Sequence, residues 1–121
     1  MKFFYFFACL LLISCSQGQI DTQGFDLQTW KNDKKGCESK RASLLADFEQ
    51  KVKPQLEGLS EIQVANLLGK ADFAILAERN QKFYRYYIEE GEQCGKNKKA
   101  RYVQIRFSAL NIVNEVTVVY Y

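Results

Sequence analysis

The hydrophobic residues of the chain follow three patterns in succession, and the first is an uninterrupted apolar run from Phe3 to Ile13. A helix rises about 1.5 Å per residue, so this run would cover only roughly half of a bilayer core and is too short to cross it. The run has neither helical nor strand amphipathicity, which argues against a buried core element. Its length and the positive charge of Lys2 are typical of a secretory signal.

The second pattern is helical. Between Cys37 and Lys53 the apolar residues are spaced three and four positions apart, at Leu44, Leu45, Phe48 and Val52. This spacing predicts an amphipathic helix, which Pro54 is expected to end. The charged residues of the segment are expected to point outward: Lys40, Arg41, Asp47, Glu49 and Lys51.

A second helix is predicted after Pro54, and its beginning is well marked. Ser60 and Gln63 have the spacing of a capping box, and Leu59 and Val64 that of a hydrophobic staple. Gly69 is expected just past the end of the helix. The predicted apolar face is Ile62, Val64, Leu67 and Leu68.

The third pattern alternates with a period of two, which predicts strands. The segments 83–88, 102–107 and 112–121 have this alternation or are rich in residues that suit strands, and 73–78 is an ambiguous further candidate. Before the helices, Phe25, Leu27 and Trp30 predict an arm or short turn that lays its aromatic side chains on the core. The expected fold is α+β, with two helices packed on one face of a three- to four-stranded antiparallel sheet.

The 121 residues are enough for one domain with a modest core. We expect a signal peptide over residues 1–14, a segment over 15–24 that begins with Cys15 and continues as a flexible tether, and a single domain over 25–121. The tether is polar, contains glycine and has no periodicity. About nine such residues have a root-mean-square end-to-end distance of roughly 15–18 Å.

Cys15 directly follows the apolar run and Ser14. The sequence from Leu12 to Cys15 resembles the lipobox of bacterial lipoproteins, in which the cysteine thiol receives a diacylglyceryl group and the leader is cut away before it. The resemblance implies a covalent lipid on Cys15 and a membrane anchor, because two or three acyl chains hold a protein stably at a bilayer. No other cofactor is expected.

The remaining cysteines fit an exported protein. Of the four cysteines, Cys9 leaves with the leader and Cys15 is used by lipid. Cys37 and Cys94 remain in an oxidising compartment, which predicts a disulfide between them. Two free thiols or half of a metal site are the alternatives, but a zinc site is poorly supplied because the chain has no histidine.

Charge and composition narrow the function classes. A net charge of +3 is too small to argue for nucleic acid. The lack of histidine excludes a histidine-based triad, and no phosphate-binding loop or small-molecule site is recognisable. The acidic run Glu89, Glu90 and Glu92 is typical of a solvated loop. We therefore expect no enzyme.

The segment from Gly58 to Asp72 resembles the signature G-[ML]-[ST]-x-x-x-V-x-x-L-L-G-x-P of the BamE family, also called SmpA/OmlA lipoproteins. It has Ala71 where the family usually has proline, and the pair Cys37/Cys94 is a further departure. The resemblance covers roughly residues 56–121 and the lipobox. It implies a lipidated N-terminus, a helix pair and a three-stranded antiparallel meander, an architecture that β-lactamase-inhibitor-like proteins also use.

These observations lead to an expected function. The chain is expected to be a non-catalytic lipoprotein facing the periplasm from the outer membrane. Ser16 after the lipidated cysteine, rather than Asp, is consistent with outer-membrane sorting under the rule for enterobacterial lipoproteins. The chain would bind or stabilise an envelope protein complex, by resemblance that of β-barrel assembly. The alternative is a periplasmic inhibitor-like or ligand-binding module. The candidate partner face is the outer side of the sheet, although an ordinary solvated face would look similar: Arg85, Tyr102, Gln104, Arg106, Glu115 and Thr117.

Overall fold

The structure is a computed structural model that describes residues 21–22 and 24–120. The predicted signal peptide, the lipidation of Cys15 and most of the predicted tether lie outside these residues. The helices are α1 (Leu27–Asn32), α2 (Lys40–Asp47), α3 (Lys53–Leu56) and α4 (Glu61–Leu68), and the strands are β1 (Phe73–Leu76), β2 (Lys82–Tyr87), β3 (Tyr102–Phe107) and β4 (Val113–Val119). Helices come first and an antiparallel sheet follows, so the expected α+β class is confirmed.

The predicted end of the first long helix at Pro54 is wrong. The helix continues from α2 through a π-helical turn, Phe48–Val52, into α3, which has Pro54 in its first turn. A proline there costs little, because the first amide groups of a helical segment need no partner within it. The wide π turn thus lets the helix continue to Leu56, whose side chain is fully buried.

Arg41 does not point outward as the helical pattern predicts. It is almost fully buried at the beginning of α2. Its Nε donates to the carbonyl of Trp30, and its Nη1 donates to the carbonyl of Tyr87 and to the carboxylate of Asp72. These partners come from three distant parts of the chain, so the burial of Arg41 cannot be predicted from the local spacing of apolar residues.

α4 begins as predicted, with Ser60 and Gln63 forming both hydrogen bonds of the capping box. Leu59 and Val64 are buried, as the staple requires. Ile62 is the exception, because 73% of its surface is exposed although the pattern assigned it to the apolar face. The helix has only two turns, and its buried stripe is narrower than its apolar sequence.

The expected N-terminal arm or turn is instead the short helix α1. Asp26 caps it by accepting from the backbone N–H and the hydroxyl of Thr29. These hydrogen bonds stabilise the ionised carboxylate and lower the pKa of Asp26. As predicted, Phe25 and Trp30 pack on the core, with the Trp30 ring stacked 4.8 Å from that of Phe48.

The sheet has four antiparallel strands in the order β1-β2-β3-β4, so the ambiguous segment after Asp72 is a strand. The core lies between the sheet and the helices. Its sheet side is built from Tyr86 in β2, from alternate residues of β3 and from apolar residues of β4. The larger hydrophobic side chains of this core that are fully buried are Trp30, Phe48, Val52, Leu56, Val64, Leu68, Tyr86, Ile88, Val103, Ile105 and Phe107.

The two cysteines paired from the sequence, Cys37 and Cys94, form a disulfide that closes a separation of 57 residues. It joins the turn before α2 to the loop between β2 and β3. Among the described residues, no helix is long and apolar enough to span a bilayer.

Candidate interaction surface

The strand register brings the six predicted partner-face residues together. Arg85 is opposite Gln104, and Gln104 is opposite Thr117, while Arg106 is opposite Glu115. Since side chains alternate between the two faces of a strand, these residues point away from the helices. We call the side of the sheet opposite the helices the open sheet face: Phe73, Ile75, Phe83, Arg85, Tyr87, Tyr102, Gln104, Arg106, Glu115, Thr117 and Val119.

The polar residues of this face are joined by cross-strand pairs. Arg85 Nε donates to Gln104 Oε1 over 3.2 Å, and Arg106 Nη2 lies 3.1 Å from Glu115 Oε2. Within β4, in addition, the hydroxyl of Thr117 donates to Glu115 Oε1 over 3.0 Å. These contacts hold the long side chains along the sheet. The side chains would therefore lose less conformational entropy when a partner binds.

Tyr102 lies on the open sheet face but contributes little accessible surface. The guanidinium carbon of Arg85 lies 4.6 Å from the centre of the Tyr102 ring, and the ring of Tyr87 packs edge-on at 5.8 Å. Only 7% of Tyr102 remains exposed. Its ring therefore packs against Arg85 and Tyr87 and offers little surface of its own to a partner.

The apolar part of this face was not predicted from the sequence. Phe73 is half exposed at the edge strand β1. Beside it, a shallow pocket of about 260 Å³ is lined by Ile75, Ala77, Phe83, Arg85 and Gln104. The register pairs Ile75 with Phe83, which places both beside the predicted polar residues. The sequence feature that could have indicated it is the apolar segment after Asp72, which was only an ambiguous strand candidate.

The loop between β2 and β3 contains two ion pairs. Arg101 donates from Nε and Nη2 to the two carboxylate oxygens of Glu89, over 2.9 and 3.0 Å. These hydrogen bonds lower the pKa of Glu89 and raise that of Arg101. Glu90 pairs with Lys98 at 3.4 Å. Glu89 is therefore an ion-pair partner and not the simply solvated carboxylate that the sequence suggested.

Within the residues that the structure describes, no three His, Cys, Asp or Glu side chains are grouped so that they could hold a metal ion. The open sheet face has groups suited to noncovalent contact with a partner, namely a small apolar pocket, two arginines and a carboxylate.

The chain has no significant match among models of protein families, curated proteins or solved structures. The resemblance to BamE proteins therefore rests on its own residues, above all those from Gly58 to Asp72.

Proposed function

We propose that this chain is a non-catalytic lipoprotein that binds or stabilises an envelope protein complex. In this proposal, lipid on Cys15 anchors it to the outer membrane, and the domain faces the periplasm. The resemblance of Gly58 to Asp72 to BamE proteins makes outer-membrane β-barrel assembly the first process to examine. The absence of histidine supports binding over catalysis.

One observation above all supports the proposal: the open sheet face has a small apolar pocket with polar side chains around it. Protein interfaces concentrate their binding energy in a few apolar or aromatic contacts surrounded by polar residues that exclude water. The pocket between Ile75 and Phe83, with exposed Phe73 beside it, has the character of such a centre. Arg106 and Glu115 supply a polar surround.

Copurification from detergent-solubilised membranes tests this function. We expect the full chain to retain barrel-assembly subunits and Phe73→Asp to lose them, because a carboxylate would be desolvated at the contact. Ile62→Asp is the matched control, since Ile62 is also a large exposed hydrophobic residue but lies on α4. Equal retention by both variants, or equal loss, would contradict the assignment of the face. Recovery of a single soluble enzyme would instead favour the inhibitor-like alternative.

The anchor is tested by the mass of the protein recovered from cells. A chain beginning at Cys15 and carrying acyl groups is expected, and Cys15→Ser should leave the leader uncut. Recovery of the unprocessed, unacylated chain from cells producing the unaltered sequence would overturn the proposed location.

A further inference from the structure

A second surface feature lies away from the open sheet face and does not depend on the proposed function. It is a pocket of about 360 Å³ between the end of α1, the turn that follows it and the segment that joins α4 to β1. Its charged lining consists of Lys31, Lys34, Lys35, Lys70, Arg41 and Asp72. We call it the lysine pocket.

The positive charge of the lysine pocket is not neutralised by its one carboxylate. Asp72 is already occupied, since it pairs with Arg41 and accepts from the backbone N–H groups of Lys35 and Tyr87. The described part of the chain contains six lysines whose ammonium groups have no ion pair or hydrogen bond, and four of them line this pocket: Lys31, Lys34, Lys35 and Lys70, the others being Lys53 and Lys96.

The backbone of the pocket is fixed before any ligand arrives. Lys35 has a left-handed backbone, with φ of 60°, which costs a non-glycine residue about 1 kcal/mol. Its N–H donates to Asp72 Oδ1 over 2.9 Å, and its carbonyl accepts from Gln93 Nε2 over 2.9 Å. Cys37, two residues later, is held by the disulfide. Lys34 and Lys35 therefore project from a turn that is tied to the domain at several points.

Arg41 adds a buried donor to the pocket. Its residue surface is only 1% exposed, yet it is part of the pocket lining. Nε and Nη1 donate to Trp30, Asp72 and Tyr87, and none of these three hydrogen bonds uses Nη2. A guanidinium nitrogen beside several ammonium groups is suited to the oxygens of a phosphate group.

We propose that the lysine pocket binds a phosphate group carrying two or more negative charges, as in a phosphate monoester or a pyrophosphate. Four ammonium groups around one small pocket repel one another, and a multiply charged anion relieves that repulsion more than a phosphodiester with a single charge does. A phosphate monoester carries close to two charges at neutral pH. The ligand can be a soluble phosphate or the headgroup of a lipid.

Titrations of the full chain in non-ionic detergent micelles test this proposal, with backbone amide signals of residues 31–37 and 70 as the readout. The probes are pyrophosphate, dihexanoyl phosphatidic acid, which carries a phosphate monoester, and dihexanoyl phosphatidylglycerol, which carries a phosphodiester. The pocket variant is Lys34→Gln/Lys70→Gln. The matched control is Lys53→Gln/Lys96→Gln, which removes the same charge from unpaired lysines outside the pocket.

We expect pyrophosphate to shift these amides and the pocket variant to weaken its binding roughly tenfold, with little change in the control. Pocket-dependent binding of phosphatidic acid as well would identify a lipid headgroup as a source, and binding of pyrophosphate alone would identify a soluble one. Failure of both phosphate probes to shift the amides would overturn the proposal. So would equal losses in the two double variants, or equally tight pocket-dependent binding of phosphatidylglycerol.

Discussion

The guanidinium nitrogen Nη1 of Arg41 lies 2.6 Å from the carboxylate oxygen Oδ2 of Asp72, and the two side chains are only 2% and 5% exposed. The guanidinium also lies 5.2 Å from the centre of the Trp30 ring. Asp72 accepts from the backbone N–H of Tyr87 in β2. The pair therefore links the beginning of α2 to the first two strands, and it ties the helical layer to the sheet.

Removing one member of this pair should destabilise the domain strongly. Arg41→Met leaves the Asp72 carboxylate buried without its counter-charge, which typically costs about 3–5 kcal/mol. We expect the free energy of unfolding in urea to fall by that amount. Lys40→Ala is the control, because Lys40 pairs with Glu38 on the surface and such pairs contribute at most about 1 kcal/mol. Similar losses in the two variants would contradict the buried pair.

A close approach of backbones depends on Gly36. Its φ is +65°, and a Cβ there would lie 2.5 Å from the carbonyl oxygen of Tyr87. Gly36→Ala should therefore cost both backbone strain and a steric clash, about 3 kcal/mol or more. Gly58 has φ of +87°, but a Cβ there would meet no other atom within 4 Å. Gly58→Ala should cost only about 1 kcal/mol, and equal thermal destabilisation by the two substitutions would refute the contact.

The disulfide is expected to contribute a large part of the stability. Closing a separation of 57 residues between Cys37 and Cys94 restricts the unfolded chain and stabilises the fold by roughly 4 kcal/mol on the loop-entropy model. Reduction, or the double variant Cys37→Ser/Cys94→Ser, should lower the melting temperature markedly. A melting temperature that is the same with and without reductant would show that the bridge contributes nothing.

Glu61 should make stability depend on pH in the acid range. The hydroxyl of Tyr84 and the ammonium of Lys82 donate to its carboxylate. The Tyr84 hydrogen bond is the main reason that the pKa of Glu61 lies below its ordinary value of about 4.5. Burial and the same hydrogen bond raise the pKa of Tyr84.

Since the folded-state pKa is the lower one, Glu61 contributes stability above pH 4.5 and loses it as pH falls through the folded value. Glu61→Gln should therefore be less stable than the unaltered chain at pH 7, by about 1 kcal/mol, and the difference should disappear towards pH 2. Glu57→Gln, at an exposed position, is the control for urea unfolding across this range. A constant difference at all pH values would exclude the titration of Glu61.

The elements with strong local signals were predictable. β3 has the predicted bounds, and α4 begins with the predicted capping box, because alternation and capping depend on residues close in sequence. The continuation of the helix through Pro54 was not predictable, since a π turn depends on how the following residues pack. Burial of Arg41 depends on Asp72, which is 31 positions away and on another element.

The candidate surface was partly predictable for the same reason. Alternation placed the residues around Gln104 on one side of the sheet, which the register shows to be the side opposite the helices. The burial of Tyr102 under Arg85 required the pairing of β2 with β3, which the sequence alone does not reveal. The pocket beside Ile75 required β1 to be a strand.

Photocrosslinking in living cells can show directly whether the open sheet face contacts an envelope protein. A photoreactive amino acid replaces Arg106 on the open sheet face in one version of the full chain and Ile62 on α4 in another. We expect position 106 to yield a discrete adduct with an envelope membrane protein and position 62 to yield none. No adduct from position 106, or the same adducts from both positions, would contradict this expectation.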